Sequence, residues 1–419
     1  KFDWDSYQQN LIHGSFFWGY ICTELPGGRL AEVIGARKVW GYSILIASLV
    51  TLFTPLAASL DYIAVVALRV AIGFMLGVTF PAIQPLGAKW IPPNDRSKFI
   101  SNMMASSLGA ALTLPVCGFL IDSFGWSSVF YTTGLIGVLW TVAWFLLIFD
   151  SPGQHPRISR GEREFIEEAI GASSKVRKAY KVPWLKVLSS APVWAIVLTH
   201  GSSVFCYFTV VNQLPTYMKN VLAFEIKENG FFSSFPYLGK YVMALGTGFL
   251  ADYLKSSGKI STTMTRKFFT TFAVGLPGLF MLLLVFFGDN AVWSICIFTV
   301  ALTLNGAVTA GYLGNALDIA PNFSGTIFGM ANTLSSLGGF LSAYMVGYLT
   351  FENQTFSQWQ IVFSVLAGTY LFGSMIYLFL GTAEQLEWNT PEDSNHVNHV
   401  NSNHLGDIEM AEKEALNKT

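Results

Sequence analysis

Four ionisable side chains lie inside long apolar stretches of this sequence, where an ionised group is costly. They are His13, Glu24, Arg69 and Lys240. An ionised side chain at the centre of a lipid bilayer costs about 2.5–3.5 kcal/mol on insertion scales, so such residues typically mark substrate or ion pathways. The chemistry that these residues indicate is the binding of a small charged solute.

Arg69 lies in the apolar run 64–77 and is the strongest candidate for anion binding. A guanidinium presents a planar fork of donors that matches a carboxylate or a phosphate. The alternative is a structural salt bridge that holds two helices together.

Lys240 and His13 have two open interpretations each. Lys240, near the middle of the run 231–253, would add a second positive charge for the anion, or would snorkel or pair with a carboxylate. His13, at the outer end of its run, would sense pH beside an aqueous vestibule, or would be a neutral histidine at an interface. Other polar side chains in the apolar runs are expected to line the same cavity: His200, Tyr207, Asn212, Asn305 and Asn315.

Glu24 precedes Pro26-Gly27-Gly28 in the inner half of its run. It could exchange a proton during a transport cycle, as acidic residues within membranes do. It could also anchor a gate by pairing with an arginine, and we favour this second role.

Membrane-spanning helices are the elements that must position these residues. Of the 419 residues, 52% are hydrophobic and 12% are charged, about half the charged share of a soluble domain. A helix needs roughly 20 apolar residues to cross the hydrocarbon. Eleven segments are long enough, namely 9–30, 39–59, 62–88, 99–121, 128–149, 192–217, 230–254, 267–287, 291–316, 325–349 and 360–381.

The lysines and arginines set the expected orientation. Most of the 25 in the chain fall in alternate loops, whereas the opposite loops hold only Lys219 and Lys227. Because positively charged loops stay in the cytoplasm, we expect the central loop 150–190 and the tail 382–419 to be cytoplasmic. The tail is polar and rich in asparagine, so we expect it to be disordered.

Sequence echoes about half a chain apart indicate two related bundles. The stretch Gly28-Arg29-Leu30-Ala31-Glu32 and the basic turn that follows it return, abbreviated, as Gly248-Phe249-Leu250-Ala251-Asp252. Ile91-Pro92-Pro93-Asn94 is echoed by Ile319-Ala320-Pro321-Asn322. Parallel repeats in a membrane protein mark bundles that can rock against each other, which is typical of transporters.

The remaining motifs indicate neither a cofactor nor an enzyme. The four cysteines all fall in apolar segments, so we expect reduced packing residues rather than disulfides or metal ligands. The sequon Asn353-Gln354-Thr355, on the expected outer side, could carry a glycan. No nucleophile, metal-ligand set or phosphate loop has a workable spacing in the sequence.

Several motifs resemble those of the major facilitator superfamily. Within it they are most similar to the anion transporter family of sialin, the vesicular glutamate transporters and the sodium–phosphate cotransporters. They include Phe2-Asp3-Trp4-Asp5, Ile12-His13-Gly14-Ser15-Phe16-Phe17-Trp18-Gly19-Tyr20, Gly77-Val78-Thr79-Phe80-Pro81-Ala82, Gly125-Trp126-Ser127-Ser128-Val129-Phe130-Tyr131 and Leu317-Asp318-Ile319-Ala320-Pro321. The overall pattern looks like the invertebrate members described as inorganic phosphate cotransporters.

The resemblance implies an all-α membrane protein with the major facilitator fold. In that fold two pseudo-symmetric six-helix bundles alternate in access around an anionic substrate. Pairing the repeats puts segment 9–30 at the second helix of its half, so we expect the first helix to be absent and eleven spans to remain. The bundles would be 1–149 and 191–381.

The resemblance also implies a gate at the cytoplasmic face. Glu32 and Asp252 are the repeated acids of the gate motif. With Arg37 and Lys38, they are expected to close the inner face by charge-assisted hydrogen bonds.

Four departures from the family pattern bear on the coupling ion. Leu76 and Gln84 stand where proton-coupled members have a glutamate and a histidine. Ser203 and Ala316 stand where the glutamate transporters have an arginine and a histidine. Because leucine cannot carry a proton, these changes argue against a vesicular glutamate transporter and against the proton-coupled mode of sialin. Sodium-driven or potential-driven anion movement is then preferred, although no sodium site is visible in the sequence.

The sequence therefore predicts a secondary active transporter of small anions, phosphate or an organic anion, that is coupled to sodium. Two alternatives stay open: a proton-linked lysosomal or vesicular organic anion transporter that uses Glu24, and a channel-like anion conductance. We expect a small anion and the lipid bilayer as partners, no nucleic acid, and a monomer. The expected location is the plasma membrane or an endolysosomal or vesicle membrane.

Overall fold

The computed structural model describes residue 4 and residues 6–170, 181–222, 235–350 and 355–389. Within these ranges the chain is helical and contains no strand. The α-helices of these ranges are α1 (Ser6–Ile34), α2 (Ala36–Leu52), α3 (Thr54–Leu60), α4 (Tyr62–Leu76), α5 (Thr79–Trp90), α6 (Arg96–Met103), α7 (Ala105–Phe124), α8 (Ser127–Leu147), α9 (Arg160–Ile170), α10 (Trp184–Leu188), α11 (Ala191–Asn220), α12 (Phe235–Ser256), α13 (Thr262–Thr270), α14 (Leu276–Phe287), α15 (Ala291–Asn305), α16 (Asn315–Ile319), α17 (Ser324–Leu349) and α18 (Phe356–Leu380).

Side-chain caps fix the beginnings of several helices. Asp61 Oδ1 accepts a hydrogen bond of 2.6 Å from the Tyr62 N–H where α4 begins. Asn290 Oδ1 accepts hydrogen bonds from the N–H groups of Val292, at 3.0 Å, and Trp293, at 3.2 Å, where α15 begins. The first N–H groups of a helix have no partner within it, so a polar residue before an apolar run determines where the helix begins.

Helices cover the described residues of the eleven segments that were predicted to span the membrane, several of them as consecutive pieces. Six helical stretches of the described ranges are long and apolar enough to cross a membrane, or seven if α2 and α3, which are bent by 43°, count as one span. The all-α membrane fold is confirmed, whereas the number of spans stays a prediction.

The outer helices expose apolar side chains, as lipid contact requires. In α8 the buried residues are Gly134, Thr141 and Trp144, whereas Ile136 and Leu139 are exposed. A soluble protein rarely leaves such a continuous apolar face uncovered. The larger buried core lies in the second half, among α11, α13, α14, α15 and α18.

Helices α1 and α17 form the main contact between the two halves. α1 packs against α4 in its own half and against α17 in the other half. Gly28 allows the two backbones to touch, because a Cβ on it would lie 2.0 Å from the Gly325 carbonyl oxygen. We call the contact of residues 24–32 with residues 325–336 the α1–α17 seam. It lies towards the face of the bundle that carries residues 150–155, which we call the central-loop face.

Candidate functional site

A cavity of about 470 Å³ lies between the two halves. Helices α1, α5, α11, α12 and α17 supply most of its lining, together with the irregular segment after α15. The wall is largely aromatic and includes Phe17, Tyr20, Phe80, Tyr207 and Phe208. Its polar and ionisable lining residues include Glu24, Gln84, His200, Lys240, Asn305, Asn332 and Ser336.

Lys240 supplies a buried cation to this cavity from α12. Its exposed fraction is 7%, and its Nζ lies 3.6 Å from the centroid of the Tyr207 ring. In the part of the chain that the structure describes, no carboxylate lies within ion-pair distance of this ammonium. A cation–π contact replaces only part of the lost hydration, so the site is suited to an anionic ligand.

Glu24 supplies a buried carboxyl group from α1, with an exposed fraction of 1%. The Ser336 hydroxyl donates to its Oε1 at 2.9 Å across the seam. Its Oε2 is buried without a hydrogen-bond partner among the described residues. The predicted pairing of Glu24 with an arginine is therefore wrong for this state, because the group of α17 that reaches Glu24 is the Ser336 hydroxyl. Glu32, at the other end of the seam, lies about 12 Å further along α1.

His200 is held by two neutral groups. Its Nε2 lies 2.9 Å from Asn332 Oδ1, and its Nδ1 lies 3.3 Å from the Tyr312 hydroxyl. An amide oxygen can only accept, so Nε2 carries the proton and a neutral imidazole can accept from Tyr312. His200 therefore shapes the cavity wall as a neutral side chain.

Two amides on the cavity differ in how they are used. Asn305 donates to Ser203 Oγ at 3.1 Å and to the Ala273 carbonyl at 3.2 Å, so it fixes the irregular segment that follows α15. Gln84 has an exposed fraction of 0%, and neither polar atom of its side chain has a partner within the described residues. Because buried polar groups are normally paired, the Gln84 amide is available to a ligand.

Arg69 does not lie among the residues that line the cavity. On α1, Gly19 faces α4, whereas Phe17 and Glu24 face the cavity. The contact of Gly73 with the Phe16 carbonyl places Arg69, one turn earlier, level with residues 12–16. Its guanidinium is half-buried and has no hydrogen-bond or ion-pair partner in the described ranges. In this state Arg69, the strongest candidate from sequence for anion binding, is not among the residues that line the cavity, and no described contact supports the alternative salt bridge.

Asn315 is also placed away from the cavity. It is buried in α16, and its Nδ2 donates to the Thr382 carbonyl at 2.8 Å. Between Asn305 and Asn315 the α-helix gives way to short 3₁₀ turns, so the helical periodicity of the sequence does not continue. Tyr312 reaches the cavity from this segment instead.

Three other predicted residues lie partly or wholly outside the described part of the structure. His13 lies on α1 and Asn212 on α11, but their side chains are outside it. Asn353 of the predicted sequon lies outside the described residues.

The two repeated acids meet helix N-termini of the opposite half at the central-loop face. Glu32 accepts hydrogen bonds from Thr326 N–H at 2.8 Å and Thr326 Oγ1 at 2.9 Å, in the first turn of α17. Asp252 accepts from Ser97 N–H at 3.2 Å and Lys98 N–H at 2.7 Å, in the first turn of α6. A carboxylate is favoured there by the unpaired N–H groups and the helix dipole. Both acids of the repeat therefore join the two halves at this face, and their role as a gate stays a prediction.

Arg37 and Lys38 do not contact the gate acids, so their predicted part in the gate is corrected. Gly35, with φ of +108°, separates α1 from α2 and turns the chain towards α8. The Arg37 N–H donates to Asp150 Oδ1 at 2.8 Å, and its guanidinium donates to the Phe145 carbonyl. Lys38 is exposed and has no ion-pair partner within the described ranges.

A buried ion cluster centred on Asp318 was missed by the sequence reasoning. Arg266 Nε donates to Asp318 Oδ2 at 2.8 Å, and Arg96 Nη1 lies 3.3 Å from Asp318 Oδ1. Arg266 Nη1 also donates to Ser97 Oγ of the other half at 3.0 Å. From sequence alone, both arginines were treated only as basic residues of the loops that set the orientation. The usable signal was that Arg266-Lys267 is the counterpart of Arg37-Lys38 in the repeat.

The polar stripe of α17 was missed as well. The stripe consists of Asn332, Ser335 and Ser336, which line the cavity together with Phe328, one turn before Asn332. Their spacing is that of one helix face, and it could have been found by a search for polar stripes at helical period. In the described ranges no group of three or more His, Cys, Asp or Glu residues is arranged to hold a metal ion.

Comparison with known proteins defines the family. Residues 1–343 match the model of the Major Facilitator Superfamily. The chain is 36% identical to sialin of Homo sapiens over 397 residues, which cover 94% of this chain and 80% of sialin. It is 34% identical to vesicular glutamate transporter 2 of Homo sapiens over 398 residues, which cover 94% of this chain and 68% of that transporter.

Solved structures agree on the fold. The proton:xylose symporter XylE superposes with a TM-score of 0.68 and 14% identity, covering 92% of this chain and 90% of that one. The human organic anion transporter MFSD10 superposes with a TM-score of 0.65 and 16% identity, covering 88% of this chain and 83% of that one. The family model and the two human relatives together cover nearly the whole chain. The chain therefore belongs to the major facilitator superfamily of membrane transporters, in the group that contains sialin and the vesicular glutamate transporters.

Proposed function

We propose that this protein is a secondary active transporter that carries a small organic anion by alternating access, with an anionic group of the substrate bound at Lys240. The observation that supports this most directly is a buried ammonium on an interhalf cavity without a carboxylate partner among the described residues. A buried charge is stable only when something compensates it. A visiting anion would provide that compensation.

The cavity wall favours an organic anion over inorganic phosphate. Phe17, Phe80, Phe208 and Phe328 present apolar ring surface to a bound solute. Small-molecule sites are mostly apolar, with a few polar groups that fix orientation. Phosphate is hydrated on all sides and gains nothing from such a wall, whereas the carbon body of an organic anion does. Sialin, the vesicular glutamate transporters and human MFSD10 are relatives or structural neighbours in line with this choice.

Alternating access is supported by how the two halves close. The seam and the gate contacts of Glu32 and Asp252 join the halves on the central-loop side of the cavity. Along α12, Lys240 precedes Asp252 by about 18 Å. A bound anion would thus lie well inside the membrane. Breaking the gate contacts would open the cavity towards the central-loop face.

Uptake by purified protein in proteoliposomes tests this proposal. The panel consists of benzoate, sialic acid, glutamate and inorganic phosphate, each with imposed sodium, proton or potential gradients. We expect an organic anion to be taken up and Lys240→Gln to reduce its uptake at least about tenfold, because removing one side of a buried charge pair costs about 2–5 kcal/mol. Lys259→Gln, which removes an exposed lysine, is the matched control and should transport normally.

Three outcomes would go against the proposal. Normal uptake by Lys240→Gln would contradict the assignment of Lys240 as the residue that binds the anion. Preferred uptake of phosphate would support the finer prediction made from sequence instead. Uptake without trans-stimulation by unlabelled anion would indicate a channel-like conductance.

A further inference from the structure

We propose that the carboxyl group of Glu24 is the proton-binding site that couples transport to a proton gradient, with Ser336 of the opposite half as its hydrogen-bond partner. This inference rests on the proposed function, because a coupling site is useful only to a transporter. Leu76 stands where the family pattern has a glutamate, and its side chain cannot bind a proton, so we assign proton binding to Glu24.

The surroundings of Glu24 suit a neutral carboxyl group better than a carboxylate. One hydroxyl, that of Ser336, donates to Oε1, and the buried Oε2 lacks a partner among the described residues. Those residues also include no cation within ion-pair distance of Glu24. Burying an ionised carboxylate with a single donor is costly, whereas a protonated Oε2 with Oε1 accepting from Ser336 is not.

The groups around Glu24 do not change this balance. The polar groups of α5 and α17 at this level are Gln84, Asn332 and Ser336, none of which titrates. Tyr20 lies one turn earlier on α1 and faces the same cavity.

More distant ionisable groups lie on the other elements. On α4, Arg69 is level with residues 12–16, about two to three turns from Glu24. On α2, Tyr42 and Lys38 are exposed, and Arg37 contacts the end of α8. From the opposite half, Lys240, His200 and Tyr312 line the cavity. Lys240 would hold the anion, so a proton on Glu24 and an anion at Lys240 can be bound together.

The position of Glu24 makes its proton sensitive to the state of the gate. Glu24 lies where the cavity meets the α1–α17 seam: its carboxyl group lines the cavity, and its backbone carbonyl packs against Gly329. Opening the seam would separate Glu24 from Ser336 and admit water from the central-loop side. The proton would leave the carboxyl group for that water. After the seam closes again, Glu24 would take up the next proton from the cavity, on the side of the membrane away from the central-loop face.

The stoichiometry makes the proposal testable. One proton on Glu24 would travel with one monoanion, so the cycle would move no net charge. A gradient of one pH unit could then sustain an accumulation of about tenfold, and the membrane potential would add nothing. In Glu24→Gln the anion would move without a proton, so net movement would respond to potential and not to pH.

The first experiment needs no substrate. Infrared difference spectroscopy of the purified protein, titrated over pH, would follow the C=O stretching band of a protonated carboxyl group. We expect a band that is lost in Glu24→Gln and retained in Glu168→Gln, which removes an exposed carboxylate of α9. A spectrum unchanged by Glu24→Gln would overturn the assignment of the proton to Glu24, whatever the protein transports.

The second experiment uses the organic anion of the panel that the protein accumulates. We expect Glu24→Gln to retain measurable exchange of labelled for unlabelled anion but to lose accumulation driven by an inside-alkaline gradient. Glu24→Asp, which keeps the carboxyl group, should retain that accumulation, whereas Lys240→Gln should lose both activities. Undiminished proton-driven accumulation by Glu24→Gln, or accumulation that needs only a sodium gradient, would refute the coupling role and leave the anion site intact.

Discussion

Glu24 and Lys240 face one cavity from opposite halves of the molecule, and each is buried without an oppositely charged partner in the described ranges. Burial without a counter-charge disfavours the charged form of both groups. At Lys240 the face of the Tyr207 ring stabilises the ammonium in part, and an arriving anion would supply the missing counter-charge. A carboxyl group with one hydroxyl donor and no cation retains a proton more readily than it ionises. A proton and an anion would thus be bound as a pair at separate residues.

Arg69 provides a test at the residue scale, because it is not among the residues that line the cavity. We expect Arg69→Gln to change the KM for the transported anion less than about threefold, whereas Lys240→Gln raises it more than about tenfold, since only a group that contacts the substrate contributes binding energy directly. Initial rates of uptake over a range of anion concentrations measure both. A larger effect of Arg69→Gln would mean that the guanidinium reaches the anion in another state of the cycle.

At the scale of elements, closure depends on helix ends and on a close helix contact. Glu32 caps α17 and Asp252 caps α6. Each half therefore supplies a carboxylate that accepts hydrogen bonds from the N-terminus of a helix in the other half. Such contacts are worth about 0.3–1 kcal/mol each when exposed and up to about 2 kcal/mol when partly buried. They are easily broken and re-formed, as a gate requires. Gly28 and Gly325 set how closely α1 and α17 can approach beside the Glu32 contact.

Gly28→Ala tests the close helix contact. The added Cβ would lie 2.0 Å from a backbone oxygen, which no rotamer change can relieve, so closure should be disfavoured by about 1–3 kcal/mol. We expect slower transport and a longer distance between spin labels at Lys38 and Lys259, which are exposed on the two halves. Gly246→Ala is the control, since a Cβ there meets nothing within 4 Å. Equal behaviour of the two variants would show that the seam is looser than described.

At the scale of the whole molecule, Asp318 connects the two halves through two arginines. Arg96 belongs to the first half and Arg266 to the second, and both guanidinium groups contact the same carboxylate. Arg266 has an exposed fraction of 0%, so its charge depends on this partner. The cluster therefore stabilises the closed state and the folded protein together.

Asp318→Asn should destabilise the protein, because it leaves two buried cations without their shared carboxylate. Removing one partner of a buried ion pair costs about 3–5 kcal/mol. We expect a clear decrease in the midpoint of thermal unfolding in detergent, followed by tryptophan fluorescence. Asp289→Asn removes an exposed carboxylate and should leave the midpoint unchanged. Equal midpoints for both variants would contradict a structural role for Asp318.

The sequence alone determined those features that depend on short stretches of chain. Apolar runs of sufficient length placed the helices, since about 20 such residues are needed to cross a membrane whatever surrounds them. The repeat identified Glu32 and Asp252 as equivalent acids, and the structure gives both the same kind of contact. Lys240 stands out in the sequence because a lysine within an apolar run is rare.

The tertiary structure decided how each helix is rotated and which residues meet across the halves. Arg69 and Lys240 look alike in sequence, yet Lys240 lines the cavity and Arg69 does not. Ser336 as the partner of Glu24, and Asp318 as the partner of two arginines, join residues far apart in the chain. A helix forms from local hydrogen bonds and apolar length, but its rotation and register depend on the packing of all its neighbours at once. No short stretch of sequence contains that information.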